Sequence, residues 1–180
     1  MKETGIVRRI DELGRVVIPK EIRKTLRIKE GDPLEIYTDK EDLLFKKYSP
    51  MAKIEDVALD MAESLYAVNE RTAIICDNEK IVSAKGNKCK ELVGKELSDS
   101  VKRMIEQRKS FVSNVAENNA EIAITKGGEV KFPCVVVVPV IDGGDALGAV
   151  MLVGGEEQTM ANGEIKSVRV ASEYLARFLS

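Results

Sequence analysis

Apolar positions follow three different patterns along the 180 residues. From Thr4 to Tyr48 they form short runs separated by turn residues. The pattern predicts a strand over residues 4–11, a turn at Gly14 and a second strand over Arg15–Ile18. Pro19 then opens a helix, because its fixed φ suits a first helical turn and Glu21 places an acid there. Ile22 and Leu26 share one face of that helix. Lys20, Arg23, Lys24 and Arg27 share another. Gly31-Asp32-Pro33 breaks the chain, and Leu34–Thr38 with Leu43–Tyr48 predicts a hairpin around residues 39–42. From Met51 the pattern changes: Met51, Ile54, Ala58, Met61, Leu65 and Val68 recur at spacings of 3, 4, 3, 4, 3. That is a narrow stripe on one five-turn helix.

Beyond residue 70 strands and helices alternate. Thr72–Cys76 and Ile81–Ala84 flank a turn, residues 97–108 read as a helix, and short strands are expected at 111–115 and 121–125. Phe132–Ile141 and Leu147–Val153 read as long strands joined by Asp142-Gly143-Gly144-Asp145. A last helix starts near Thr159 or Asn162 and carries Ile165, Val168, Ser172, Leu175 and Leu179. The order predicts an α+β chain: a β-β-α-β-β unit over 1–50, a connecting helix over 51–70, and an antiparallel sheet over 71–180 with helices at both ends and on one face.

Size adds a constraint. A unit of about fifty residues buries too little surface to stand alone without disulfides or metal. Its strands are nonetheless rich in Ile, Val and Leu, with Ile6, Arg8 and Ile10 on one face. We therefore expect a second chain to cover it. The stripe at 51–68 admits two readings, a helix packed on its own C-terminal sheet or a seam between two chains. On the second, Ile54, Met61 and Leu65, with Leu175 and Leu179 from the last helix, would join copies.

Charge sharpens the picture of the N-terminal unit. The net charge is −2, yet residues 1–29 hold nine Lys or Arg against four acids. Arg8 and Arg9 lie on the first strand, Arg15 follows the turn, and Lys20, Arg23, Lys24 and Arg27 belong to the helix. Bases drawn from three elements, and doubled by a two-fold axis, suit the phosphates of double-stranded DNA. Other chemistry is poorly represented. The chain has no His, and Cys76, Cys89 and Cys134 are odd in number and far apart. That fits neither a zinc site nor a disulfide framework. Cys76 and Cys134 read as small core residues, whereas Cys89, between Lys88 and Lys90, is the one thiol with cations beside it.

The glycine pairs Gly127-Gly128, Gly143-Gly144 and Gly154-Gly155 read as hairpin turns. Gly94-Lys95 lacks the first Gly and the following Ser/Thr of a phosphate loop. Asp11-Glu12 and Glu156-Glu157 read as turn or surface charges. No apolar run is long enough for a bilayer, and none follows Met1-Lys2-Glu3-Thr4 as in a signal peptide. The expectation is a cytoplasmic protein that is not an enzyme, needs no cofactor or metal, and has no membrane partner.

The run Thr4–Leu26, followed by Asp32-Pro33-Leu34-Glu35-Ile36-Tyr37, closely resembles the AbrB-type swapped-hairpin DNA-binding domain. Pro139-Val140-Ile141 and Leu147–Val153 are similar to the paired C-terminal strands of GAF domains. The two-domain order resembles that of regulators of endospore formation. The resemblance implies an interlocked N-terminal dimer, a tetramer joined through GAF-domain helices, and action on the nucleoid of the forespore. It also implies DNA contacts from Arg8, Arg15 and Arg23, and from position 24, where Lys24 keeps the charge but loses the two-pronged guanidinium. An unidentified small molecule at the GAF-like domain is left open. Two rival readings fit less of the sequence. Antitoxins use the same N-terminal fold but end in a short disordered tail, and an enzyme on the C-terminal part would lack His, a metal cluster and a phosphate loop.

Overall fold

The computed structural model describes residues 4–114, 121–128, 130–155 and 159–180. The chain divides into two compact units, Met1–Tyr48 and Ser49–Ser180. The expected strand end at 115 and the acidic pair Glu156-Glu157 lie outside the described residues.

In the first unit helix α1 spans Lys20–Thr25, with Pro19 just before it as the capping residue. Strands β1 (Leu34–Asp39) and β2 (Asp42–Lys47) form the expected hairpin in a register that runs from Leu34 opposite Lys47 to Asp39 opposite Asp42. The Tyr48 N–H donates to the Pro33 carbonyl at 3.0 Å and extends the ladder by one bond. The two strands expected at 4–11 and 15–18 do not form. A strand exists through its ladder partner, and this single chain supplies none to those segments. Instead the chain turns tightly between Asp11 and Arg15. Arg27 is a further correction. It lies beyond the end of α1 in a left-handed conformation, φ 54°, and so leaves the helical face shared by Lys20, Arg23 and Lys24. The Ile28 N–H bonds back to the Arg23 carbonyl at 2.8 Å, closing the helix end in the manner usually served by glycine.

Among the described residues of this unit Pro19 alone is buried. Ile6, Val16, Ile18, Ile22, Leu26 and Phe45 line an apolar groove of about 250 Å³.

The second unit is built on a five-stranded antiparallel sheet of order β4-β3-β9-β8-β5. The strands are β3 (Thr72–Cys76), β4 (Ile81–Lys85), β5 (Phe111–Asn114), β8 (Cys134–Asp142) and β9 (Asp145–Gly154). A two-stranded ribbon, β6 (Ile122–Ala123) with β7 (Lys131–Phe132), stands apart from it. The expected run Phe132–Ile141 is thus two strands, interrupted at Pro133, which has no N–H to donate to a ladder. Pro139 is tolerated within β8 because β5 pairs with β8 only as far as Val137; beyond that point β8 is an edge. Ser172 donates to the Pro139 carbonyl at 2.7 Å.

Helices cover both faces of the sheet, where one face was expected. On one side α2 (Pro50–Lys53), α3 (Glu55–Asn69) and α6 (Asn162–Leu179) pack on alternate strand residues Ala73, Ile75, Val136, Val138, Val150 and Leu152. On the other side α4 (Cys89–Leu92) and α5 (Asp99–Glu106) cover Ile74, Cys76, Val135, Val137 and Met151. Two buried faces explain why Val135–Val138 is an unbroken apolar run.

The helix expected over 51–68 is two helices, with a break at Ile54 (φ −111°, ψ 36°). Its stripe from Met51 to Leu65 packs within its own unit, while Val68 at its end is exposed. Leu65 and Leu175 are buried in the α3/α6 core, and Ile54, Met61 and Leu179 pack against the same core. Within one chain, then, Leu65 and Leu175 are enclosed, and Ile54, Met61 and Leu179 are partly so. Exposed on the two long helices are Val68, the last residue of the stripe, with Leu59 and Tyr66 on α3, and Val170, Tyr174 and Phe178 on α6.

Candidate nucleic-acid interface

The cationic side chains of the first unit project from elements that fix their backbone. The turn before Val16 is the most tightly built. The Asp11 carboxylate accepts the Leu13 N–H at 3.0 Å and the Arg15 N–H at 2.9 Å through Oδ1. The Gly14 N–H donates to the Asp11 carbonyl at 2.9 Å, and the Asp11 N–H to the Arg15 carbonyl at 3.0 Å. Gly14 has φ 74°, a value that favours glycine. The same carboxylate then accepts from Nε of Arg15 through Oδ2, at 2.8 Å. These bonds from the Arg15 backbone and side chain hold the Asp11 carboxyl below its usual range.

Arg8 lines the apolar groove beside Val17, Pro19 and Ile22, which brings it next to the start of α1. Its Nη1 donates to the Val7 carbonyl at 3.2 Å. Lys20, Arg23 and Lys24 are exposed on α1, and Arg9 is exposed on the preceding segment. Thr25 Oγ1 bonds the Glu21 carbonyl at 2.9 Å and reinforces this short helix. Of the seven expected cations, five belong to the groove, turn or helix, Arg9 lies on the segment before the turn, where the expected strand does not form, and Arg27 sits past the helix end.

Sequence reasoning read Asp11 as a turn or surface charge and missed its bonds to Leu13 and Arg15. An Asp three residues before a Gly and four before an Arg was the available signal. Asp side chains readily accept from the backbone N–H two residues on.

The second unit carries an open depression of about 650 Å³ lined by Lys88, Lys90, Glu91, Val93, Gly94 and Lys95, among others. Cys89 is half-buried beside it, while Cys76 and Cys134 are buried, and burial pushes the Cys76 thiol up. Among the described residues no group of three or more Cys, Asp or Glu is placed to hold a metal. No helix among them is long and apolar enough to cross a membrane.

Comparison with known proteins divides within a few residues of the boundary between the two units. The model of the family described as stage V sporulation protein T C-terminal, transcription factor, matches residues 53–180. The model described as antidote-toxin recognition MazE, bacterial antitoxin, matches residues 7–52. The chain is 41% identical over 178 residues to stage V sporulation protein T of Bacillus subtilis, covering 98% of each. It is 66% identical over 50 residues to the transition state regulatory protein AbrB of the same organism, covering 28% of this chain and 52% of that one. The second unit has a GAF-domain fold: the GAF-B domain of DevS from Mycobacterium smegmatis superimposes with a TM-score of 0.53 at 11% identity, covering 69% of this chain and 90% of that one. The identity across nearly the whole length, together with the match of residues 53–180, places this chain in the stage V sporulation protein T family.

Proposed function

We propose that this protein is a DNA-binding transcriptional regulator of endospore formation, acting as an activator, a repressor or both. The N-terminal unit binds double-stranded DNA, and the GAF-like unit modulates that binding or assembles the oligomer. The observation that carries the reading is the set of exposed cations on Arg8, Arg15, Arg23 and Lys24, in a unit 66% identical to AbrB over 50 residues.

The active form is an N-terminal dimer. A unit that buries one of its described residues by itself, and that leaves an apolar groove beside ladderless segments, is completed by a second copy. GAF-domain helices join two such dimers into a tetramer. The protein works in the cytoplasm, on the nucleoid of the forespore. The lysine-lined depression of the second unit is where a small-molecule signal would bind; a thermal-shift screen of the full chain tests it. The antitoxin reading draws on the match over residues 7–52. It leaves without a role the 53–180 segment, which matches a transcription-factor family.

Two measurements check the DNA reading. Four contacts per chain, about eight per dimer, set an upper limit near −7 for the log–log dependence of affinity on salt. A slope shallower than about −2 contradicts the footprint. Arg15→Ala weakens binding to a preferred duplex by roughly 1–3 kcal/mol without changing the melting temperature. Undiminished binding would remove Arg15 from the interface.

A further inference from the structure

We infer that Asp11 is the positioning residue for Arg15, and that it turns this arginine from a phosphate contact into a base-reading one. The inference rests on the duplex-binding function proposed above. An ion pair between exposed groups is ordinarily a loose, replaceable contact. This one differs because the carboxylate is fixed first. Its Oδ1 is already held by the N–H groups of Leu13 and Arg15 at 3.0 and 2.9 Å. Two backbone bonds close the same five residues. Only then does Oδ2 grip the guanidinium, at Nε.

The consequence is geometric and electrostatic. Gripped at Nε, Arg15 keeps the edge formed by its two terminal nitrogens directed away from Asp11. That edge carries the parallel donors that match N7 and O6 of guanine in the major groove. The side chain is 71% exposed, so the edge is open to a ligand. The pair is also close to neutral as a unit. A phosphate gains little from a cation whose charge is already compensated, and such a pair releases few counterions. Asp11 therefore lowers the non-specific part of binding while pre-ordering the specific part, because less side-chain freedom is lost on docking. Among the described residues no such carboxylate pairs with Arg8, Arg23 or Lys24, and these supply the phosphate-dependent share.

Two variants separate this role from simple support of the turn. Asn in place of Asp11 can still accept the Leu13 and Arg15 N–H groups but carries no charge. Glu keeps the charge but is too long for the same turn. The full-length protein, Asp11→Asn and Asp11→Glu are each titrated over a range of salt. The two probes are a duplex selected by the unaltered protein from a random pool and its scrambled counterpart.

The unaltered protein is expected to show a slope near −5, that of about six contacts per dimer. Asp11→Asn should steepen the slope by about two units on both duplexes. It should tighten binding to the scrambled duplex and lower the preference for the selected one at least tenfold, roughly the worth of one good bidentate base contact. Asp11→Glu should keep the shallower slope. An Asp11→Asn protein with unchanged slope and preference overturns the inference. So does one that loses affinity equally for both duplexes with a lowered melting temperature, since that is the mark of turn support alone. If the unaltered protein binds neither duplex, the DNA-binding function itself fails, an outcome distinct from both.

Discussion

Gly148→Ala lowers the melting temperature of the Ser49–Ser180 unit by roughly 10 °C. Gly148 lies in β9 opposite Val140, where β3 ends and the chain turns away. A Cβ at that position would overlap the Cys76 carbonyl oxygen and crowd the Asp77 Cα. Both are backbone atoms in a sheet buried on two faces, so neither can move aside as a flexible side chain would. Overpacking costs about 1–3 kcal/mol, and a clash with backbone falls at the upper end of that range. For a unit of this size each kcal/mol is worth about 3–4 °C. The damage reaches further than the strand. Asp77 is a buried carboxylate whose Oδ1 accepts the N–H groups of Glu79 and Lys80 at 2.7 Å each. Its Oδ2 accepts the Ser49 hydroxyl at 2.9 Å. Ser49 in turn caps α2 and is the first residue of the unit. Displacing Asp77 therefore loosens the point at which the second unit begins. Calorimetry on the full chain reads the effect. A loss below about 1 kcal/mol would mean that β3 and β9 can separate there at little cost.

The elements that were legible in the sequence are those whose pattern is set within one chain. The β1–β2 hairpin shows as two apolar runs about a polar turn, and its partner is the adjacent segment. The Val135–Val138 run announced a strand, though only the structure shows that two layers of helices cover it. The residues 4–18 illustrate the opposite case. Their β-like composition predicted two strands, but neither forms, because nothing within the chain pairs with these segments. Pro133 and Ile54 were invisible to periodicity because a break in one residue leaves the apolar spacing on either side intact. Asp11 was missed for a related reason. Its role depends on where two carboxylate oxygens fall within a five-residue turn, and a pattern of apolar and charged positions carries no such information. The Arg and Lys set, by contrast, stands out by charge alone, and its members are exposed in the structure, with Arg27 taken off the helix by its left-handed backbone.

On α6, Leu175→Ala and Phe178→Glu, three residues apart, give opposite results. Leu175 is fully buried among the residues that α3 and α6 press onto the sheet. Its truncation removes a large side chain from a close-packed layer and costs about 2–5 kcal/mol, with the oligomer lost only as the unit unfolds. Phe178 is 51% exposed and stacks on Tyr174, their ring centroids 6.1 Å apart. With Val170, 70% exposed, these side chains recur every four residues and form one apolar strip on the outer side of the helix. The neighbouring helix α3, tied to α6 by a 3.0 Å bond from Ser167 to Asn69, adds exposed Leu59 and Tyr66. A glutamate at 178 meets water in the isolated unit and changes its stability by no more than about 0.5 kcal/mol. In an assembly that buries the strip, the same charge must be desolvated against apolar groups without a partner. Sedimentation of Phe178→Glu should therefore show half the mass of the unaltered protein at an unchanged melting temperature. Full mass at that temperature would exclude this strip as the surface that joins dimers. A melting temperature lowered as far as in Leu175→Ala would assign Phe178 to the core.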